Sequence, residues 1–237
     1  MMSDIVGPEV VAYIKSHGCR TACVVGPTPI SLGWFRNEYY DKFQQWFTQF
    51  VRVLYAGGEG INRYVTSGVV GVPELAFFSV DEVSHEFPIR NDLFMAYEGC
   101  ESDRPLNGKF NKMTYATMMT RASYVTNVVE NIDKWDRREV DESYVKRNKR
   151  LVGEADIVIA LYNENDFMYA KGSSVAAMMA RTIEKEKAVI QLSYLPKSDD
   201  GLVVTGCTLW ESSKALPMEK PKSVDTAIEE LFGACSE

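Results

Sequence analysis

Short apolar runs alternate with amphipathic stretches along most of the chain. Residues 21–26 (TACVVG) and 155–162 (ADIVIALY) are continuous apolar runs, typical of strands buried on both faces of a parallel sheet. The pattern predicts further strands over 62–67, 89–97, 123–129 and 188–192, and helices over 38–55, 71–83, 112–121, 142–153 and 172–186. Strands and helices alternating at this spacing favour parallel βαβ units. The sequence therefore predicts an α/β fold: a doubly wound, mainly parallel Rossmann-like sheet with helices on both faces.

The clearest helix is predicted over residues 38–55. Its apolar side chains recur at helical spacing on one stripe, namely Phe43, Trp46, Phe47, Phe50, Val51 and Leu54. In the predicted sheet, Val24, Val65, Met95 and Ile159 belong to four different strands, and we expect these strands to be central and close together.

The end of the chain departs from this alternation. Residues 201–209 predict an added strand or hairpin, and residues 223–232 predict a terminal helix, with a polar segment between them. We therefore divide the chain into a Rossmann-like domain, residues 1–195, and a C-terminal extension, residues 196–237, packed on the same domain.

Composition and charge narrow the possible partners. The chain has 237 residues and a formal net charge of −7, which opposes binding to a nucleic acid unless a local basic patch outweighs it. Five cysteines without a C-x-x-C pair, and only two histidines, predict no metal site. Neither a secretory signal nor an apolar run long enough for a membrane span is present in the sequence. We expect a cytoplasmic protein without a membrane partner.

Three glycine-bearing turns follow predicted strands and precede predicted helices. In an open parallel sheet, ligands bind beyond the carboxyl ends of the strands, where unpaired N–H groups at helix starts attract phosphate. The candidate ligand-binding residues are Gly26, Pro27, Thr28 and Gly33 in the first turn, Ser67, Gly68 and Gly71 in the second, and Lys171, Gly172, Ser173 and Ser174 in the third. We predict that the three turns border one cleft.

Each turn also has a purely structural interpretation. The glycines could serve close packing between helix and strand, and Ser173 could be a helix cap. Asn148, on the inward face of helix 142–153, is a further candidate ligand contact or a buried amide that braces the next loop. The basic run around it is typical of a solvated helix face, with a phosphate contact by Arg147 as the lesser alternative. Because the chain has neither a GxGxxG nor a Walker loop, neither dinucleotide oxidoreductase chemistry nor NTP hydrolysis is indicated.

These motifs, in this order, resemble the YpsA-like family of the SLOG superfamily, whose Rossmann-like domains are related to LOG and DprA proteins. The first two turns, residues 26–35 and 65–72, are similar to its opening elements. The stretch 144–162, with Asn148 and Asp156, is similar to its helix and strand, and residues 171–174 to its final turn. The resemblance covers roughly residues 20–192. Two departures are Pro73, which separates Val72 from Glu74, and the segments 100–110 and beyond 193, which have no counterpart.

The resemblance implies a sensor or carrier that binds a nucleotide-derived ligand, NAD- or ADP-ribose-like, as a homo-oligomer that requires no cofactor. The alternative is a nucleotide N-glycosidic hydrolase or transferase. Such an enzyme needs a carboxylate beside the anomeric carbon, and Glu74 or Glu98 would be the candidate catalytic residue. Against the enzyme, the chain lacks the P-G-G-x-G-T-x-x-E signature of LOG-like hydrolases. Nucleic-acid binding of the DprA type is disfavoured by the acidic charge.

Overall fold

The computed structural model describes residues 6–29, 37–102, 104, 108–162, 174–198 and 201–216. The strands are β1 (Thr21–Val25), β2 (Arg63–Thr66), β3 (Arg90–Met95), β4 (Tyr124–Asn127), β5 (Ile157–Leu161), β6 (Ala188–Ser198) and β7 (Gly201–Trp210). The helices are α1 (Pro8–Ser16), α2 (Asn37–Tyr55), α3 (Val72–Ser84), α4 (Lys112–Arg121), α5 (Arg137–Glu154) and α6 (Ser174–Glu184). Two short 3₁₀ turns, Ala56–Gly58 and Ser213–Ala215, follow α2 and β7.

The seven strands form one sheet in the order β4-β3-β2-β1-β5-β6-β7. All neighbouring pairs are parallel except β6 and β7, which are antiparallel. The prediction of a doubly wound, mainly parallel sheet is therefore confirmed. The chain builds outward from β1 in one direction through β4 and then in the other from β5, so the strand order reverses between β1 and β5. This reversal is the topological switch point at which open α/β sheets bind ligands.

The four central strands lie side by side, as predicted. Val24 of β1 is in register with Ile159 of β5, while Val65 and Met95 lie on the next two strands, β2 and β3. Every residue of β1 and β5 is buried. Both strands are continuous apolar runs because helices cover both faces of the sheet at its centre.

Helices cover the two faces in separate groups. Apolar side chains of α1, α2 and α3 pack on one face, in a cluster that includes Ile14, Phe47 and Leu75. Side chains of α5 and α6 pack on the other, in a cluster that includes Leu151 and Met179. The aromatic stripe of α2 is buried as its spacing predicts, because Phe43, Phe47 and Phe50 are at most 1% exposed. A smaller cluster joins α3, α4 and β3.

Some boundaries differ from the expectations. The sequence pattern did not indicate α1, although Pro8 at its start is favourable in a first helical turn. Helix α5 begins at Arg137 rather than at residue 142, because the Asp136 side chain accepts a hydrogen bond from the Arg138 N–H and caps the helix. Strand β6 continues to residue 198, so the division after residue 195 falls within it. The helix predicted over 223–232 lies outside the described residues.

Candidate functional site

The first and second glycine turns pack directly against each other. A side chain at Gly26 would collide with Val72, and a Cβ at Gly71 would lie 2.5 Å from the Pro27 carbonyl oxygen. Gly71 has a φ of +106°, which favours glycine, and the Val72 N–H donates to the Pro27 oxygen at 3.2 Å. Thr28 follows and is half-buried. These two turns therefore meet at the carboxyl edge of β1 and β2, and their glycines are required by this close approach.

The second turn is also held by a hydrogen bond from Arg104. Gly68 has a φ of +65°, and its carbonyl accepts a hydrogen bond from Arg104 Nη2 at 2.6 Å. The Ser67 hydroxyl accepts the Val69 N–H at 3.4 Å within the turn. A Cβ at Gly68 would lie 3.0 Å from the sulfur of Met95. The backbone of this turn is consequently fixed by its own protein contacts.

Glu74 forms a buried ion pair with Arg104. The two side chains are 1% and 2% exposed, and Arg104 Nη1 lies 2.6 Å from Glu74 Oε2. Burial raises the pKa of Glu74 to about 7, although the Arg104 guanidinium lowers it. Pro73 occupies the first turn of α3, where proline is favourable, so it does not prevent Glu74 from reaching its partner. Glu74 also borders a small cavity of about 210 Å³ beside Phe110.

Arg147, the residue before Asn148, has an incomplete set of hydrogen-bond partners among the described residues. Arg147 is 2% exposed, and its Nη2 and Nε lie 3.1 and 3.3 Å from Asn148 Oδ1. Among the described residues, its Nη1 has no hydrogen-bond acceptor, and no ion pair to Arg147 is present. Burial lowers the pKa of this guanidinium, while Glu101 and Cys100 raise it. Asn148 is therefore buried, and its side chain holds the Arg147 guanidinium in place. The expectation that the basic run around Asn148 is a solvated helix face is wrong for Arg147, which is buried.

Arg147 belongs to a row of two aromatic rings with a cation at each end. Its guanidinium lies 4.8 Å from the centre of the Tyr144 ring, which contacts the Tyr97 ring edge-to-face at 6.2 Å. Lys134 Nζ lies 5.8 Å from the centre of the Tyr97 ring. Long side chains on a helix lean towards its N-terminus. Because α5 runs back from the carboxyl end of β4, Arg147 leans towards the carboxyl edge of the sheet.

The larger cavity opens at the same edge, beyond β3 and β4. It measures about 370 Å³, within the range of small-molecule sites, and its lining mixes aromatic, amide, carboxylate and ammonium groups. The lining residues are Tyr97, Glu98, Asn127, Val129, Glu130, Asn131, Ile132 and Lys134. Of the sequence-predicted site residues that the structure describes, Glu98 is the one that lines this cavity, and its side chain is exposed.

The third turn cannot be compared with the other two. Gly33, Lys171, Gly172 and Ser173 lie outside the described residues, and Ser174 is described only as the first residue of α6. The prediction that all three turns border one cleft therefore stays a prediction for the third turn. Asp156, which carries part of the resemblance, lies at the opposite edge, where its Oδ2 accepts the N–H groups of Arg20 and Thr21 at 2.8 Å.

Sequence reasoning missed Arg104 and most of the cavity. Arg104 lies in the segment 100–110 without a recognisable pattern, 30 residues from its partner. Arg147 could have been found by helical spacing, because it lies three residues after Tyr144 and four before Leu151, on the buried face of α5.

Over the part of the chain that the structure describes, no group of three or more His, Cys, Asp or Glu side chains could hold a metal ion. Within the same part, no helix has the length and apolar character needed to cross a bilayer. Comparison of the sequence with protein-family models and with curated proteins finds no match. The function is therefore inferred from the site itself.

Proposed function

We propose that this protein binds a nucleotide-derived small ligand, NAD- or ADP-ribose-like, at the carboxyl edge of its sheet, as a sensor or carrier. The observation that carries the proposal is Arg147. Among the described residues no carboxylate forms an ion pair with its buried guanidinium, although Glu101 acts on it from a greater distance, and a buried cation is costly unless an anion neutralises it. Its position on the sheet-facing side of α5, leaning towards the carboxyl edge, is suited to a phosphate group of a ligand bound there.

The cavity beyond β3 and β4 has groups suited to the sugar and base of the proposed ligand. Ribose hydroxyls and base amino groups donate hydrogen bonds that Glu98 and Glu130 could accept, and Asn127 offers both a donor and an acceptor. Tyr97 provides an aromatic surface for a base. Neighbouring strands are about 4.8 Å apart, so the ends of β1 and β4 are separated by roughly 14 Å. A ligand with a phosphate near β1 and β2 and a sugar or base near β4 must therefore be extended, as dinucleotide-type ligands are.

The alternative of an N-glycosidic hydrolase or transferase is favoured by one observation, the carboxylate of Glu98 in the cavity wall. Glu74 is less suited to that role, because its carboxylate is already paired with Arg104. In the enzyme hypothesis Glu98 would activate water or attack the anomeric carbon. Binding without cleavage is preferred because Glu98 is exposed, whereas catalytic carboxylates are commonly tuned by burial and neighbours.

Thermal unfolding with a panel of NAD, ADP-ribose, cyclic ADP-ribose, AMP and adenosine tests the proposal, because a ligand that binds only the folded state raises the melting temperature. We expect at least one phosphate-bearing compound to stabilise the wild type. Asn127→Ala should weaken its affinity by about 10-fold, the value of roughly one hydrogen bond. The matched control is Asn62→Ala, because Asn62 lies before β2 at the opposite edge of the sheet. Equal affinity in both variants, or no stabilisation by any compound, would contradict the proposal.

Chromatography after long incubation separates binding from catalysis. If the protein is a sensor or carrier, the wild type returns the ligand intact. If it is a glycosidase, the wild type releases free base, and Glu98→Gln slows the release by about 10²–10⁴-fold, as expected for a positioned acid–base group. Gly68 is unsuitable for such tests, because its positive φ and its contact with Met95 make any side chain there disruptive to the fold.

A further inference from the structure

Strand β4 is an open edge of the sheet. All four of its residues are exposed, and Tyr124 and Val125 remain 61% and 38% exposed. Parallel sheets are normally covered on both faces, and natural edge strands are usually protected by prolines, charged side chains or bulges. The sequence YVTN has no proline or charge, and its pairing with β3 has no register shift. Among the described residues no strand pairs with this side of β4, so the edge is available to another strand.

The hydrogen bonds of β3 show which groups of β4 face outward. Arg90 N–H donates to the Asn62 carbonyl, so even-numbered residues of β3 bond to β2 and odd-numbered ones face β4. The Val128 N–H accordingly donates to the Met95 carbonyl at 2.9 Å. By this alternation Tyr124 and Thr126 bond inward, and the N–H and C=O groups of Val125 and Asn127 point away from the sheet.

We propose that two copies of this chain associate through β4, antiparallel across a two-fold axis, so that their sheets join into one. The outward groups can pair symmetrically with Val125 opposite Val125, Val125 opposite Asn127, or Asn127 opposite Asn127 of the second copy. Antiparallel pairing places the amino end of β4, which follows Arg121 at the end of α4, beside the carboxyl end of β4 in the second copy. The chain of the second copy continues from that end to Glu130, so Arg121 and Glu130 lie on the same side of the strand pair.

Charge complementarity across this axis favours a second copy over an unrelated strand. The Arg121 side chain is 54% exposed while it pairs with Asp81, and Glu130 is exposed. The two-fold axis repeats the Arg121–Glu130 contact on both sides of the strand pair, as expected of an isologous interface. Trp135, which is 96% exposed and follows β4, supplies additional apolar surface nearby in sequence. A four-residue strand pair is small, so we expect a dimer that dissociates on dilution.

Charge reversal provides the sharpest test, measured by sedimentation equilibrium over a concentration series. We expect Arg121→Glu and Glu130→Arg each to weaken dimerisation by about 10-fold or more, because each opposes like charges. Mixing the two single variants should restore association as a heterodimer, since each Arg then meets a Glu. Damage from the lost Asp81 contact would not be repaired by mixing. Arg138→Glu, at an 87% exposed site on α5, is the matched control and should leave association unchanged.

A backbone variant tests the strand pairing itself. Val125→Pro removes an outward N–H without removing a bond to β3, so it should give a folded monomer with an unchanged circular dichroism spectrum. If Val125→Pro fails to fold, the charge-reversal mixture decides alone. The proposal is overturned if the wild type is monomeric at every concentration, if the mixed variants do not associate, or if a folded Val125→Pro dimerises like the wild type.

Discussion

Replacing Glu74 by glutamine would leave the Arg104 guanidinium buried without its countercharge. The pair is 2.6 Å apart, both side chains are at most 2% exposed, and Arg104 also holds the Gly68 carbonyl. Removing one partner of a buried pair costs about 3–5 kcal/mol. Glutamine keeps the shape and one acceptor, so we expect about 3 kcal/mol. For a domain of this size that corresponds to roughly 6–12 °C in melting temperature.

The reverse substitution should cost less. In Arg104→Met the remaining carboxyl can take up a proton, because burial already raises the pKa of Glu74 to about 7. The double variant Glu74→Leu with Arg104→Met removes both charges and should recover most of the lost stability. Calorimetric unfolding of the four proteins at neutral pH completes a double-mutant cycle. Additive effects, or a Glu74→Gln protein as stable as the wild type, would refute the assignment of a buried ion pair.

Two further outcomes follow from the same structure. Gly71→Ala should destabilise the protein by more than ~1 kcal/mol because of its φ of +106° and the nearby Pro27 oxygen. Gly153→Ala, with open space around it in α5, should instead stabilise the protein by about 0.5–1 kcal/mol. Equal effects of the two substitutions in thermal unfolding would count against the close packing of the first and second glycine turns. Arg147→Met should leave the ligand-free protein as stable as the wild type or more so. The same substitution should weaken the affinity for phosphate-bearing ligands by about 10-fold or more without changing the affinity for adenosine. A clear loss of stability would mean that Arg147 is only a structural brace.

The secondary structure was easiest to predict where the apolar pattern of a segment alone decides its local structure. The runs of β1 and β5 are apolar at nearly every position because both of their faces are covered, and the stripe of α2 has one face to bury. Helix α1 was missed because it is only nine residues long and buries just Val10 and Ile14. Short helices depend on tertiary packing more than on their own propensity.

The site was less predictable because its decisive contacts join residues far apart in the chain. That Gly26 and Gly71 occur at turns could be seen in the sequence, but their contacts with Val72 and Pro27 depend on the order of the strands. Arg104 reaches Glu74 across 30 residues from a segment without periodicity. The cavity similarly combines residues after β3 with residues after β4, and only the sheet brings those segments together.

Hydrogen–deuterium exchange with and without saturating ADP-ribose tests most directly whether a nucleotide-derived ligand binds at the carboxyl edge. We expect slower exchange in peptides covering residues 96–102 and 127–134, which border the cavity, and no change in peptides covering 17–20 and 59–62 at the amino edge. Binding fixes the backbone that it contacts and so raises the free energy of local opening there. Protection confined to the amino edge, or no protection with any nucleotide of the panel, would contradict the proposed site.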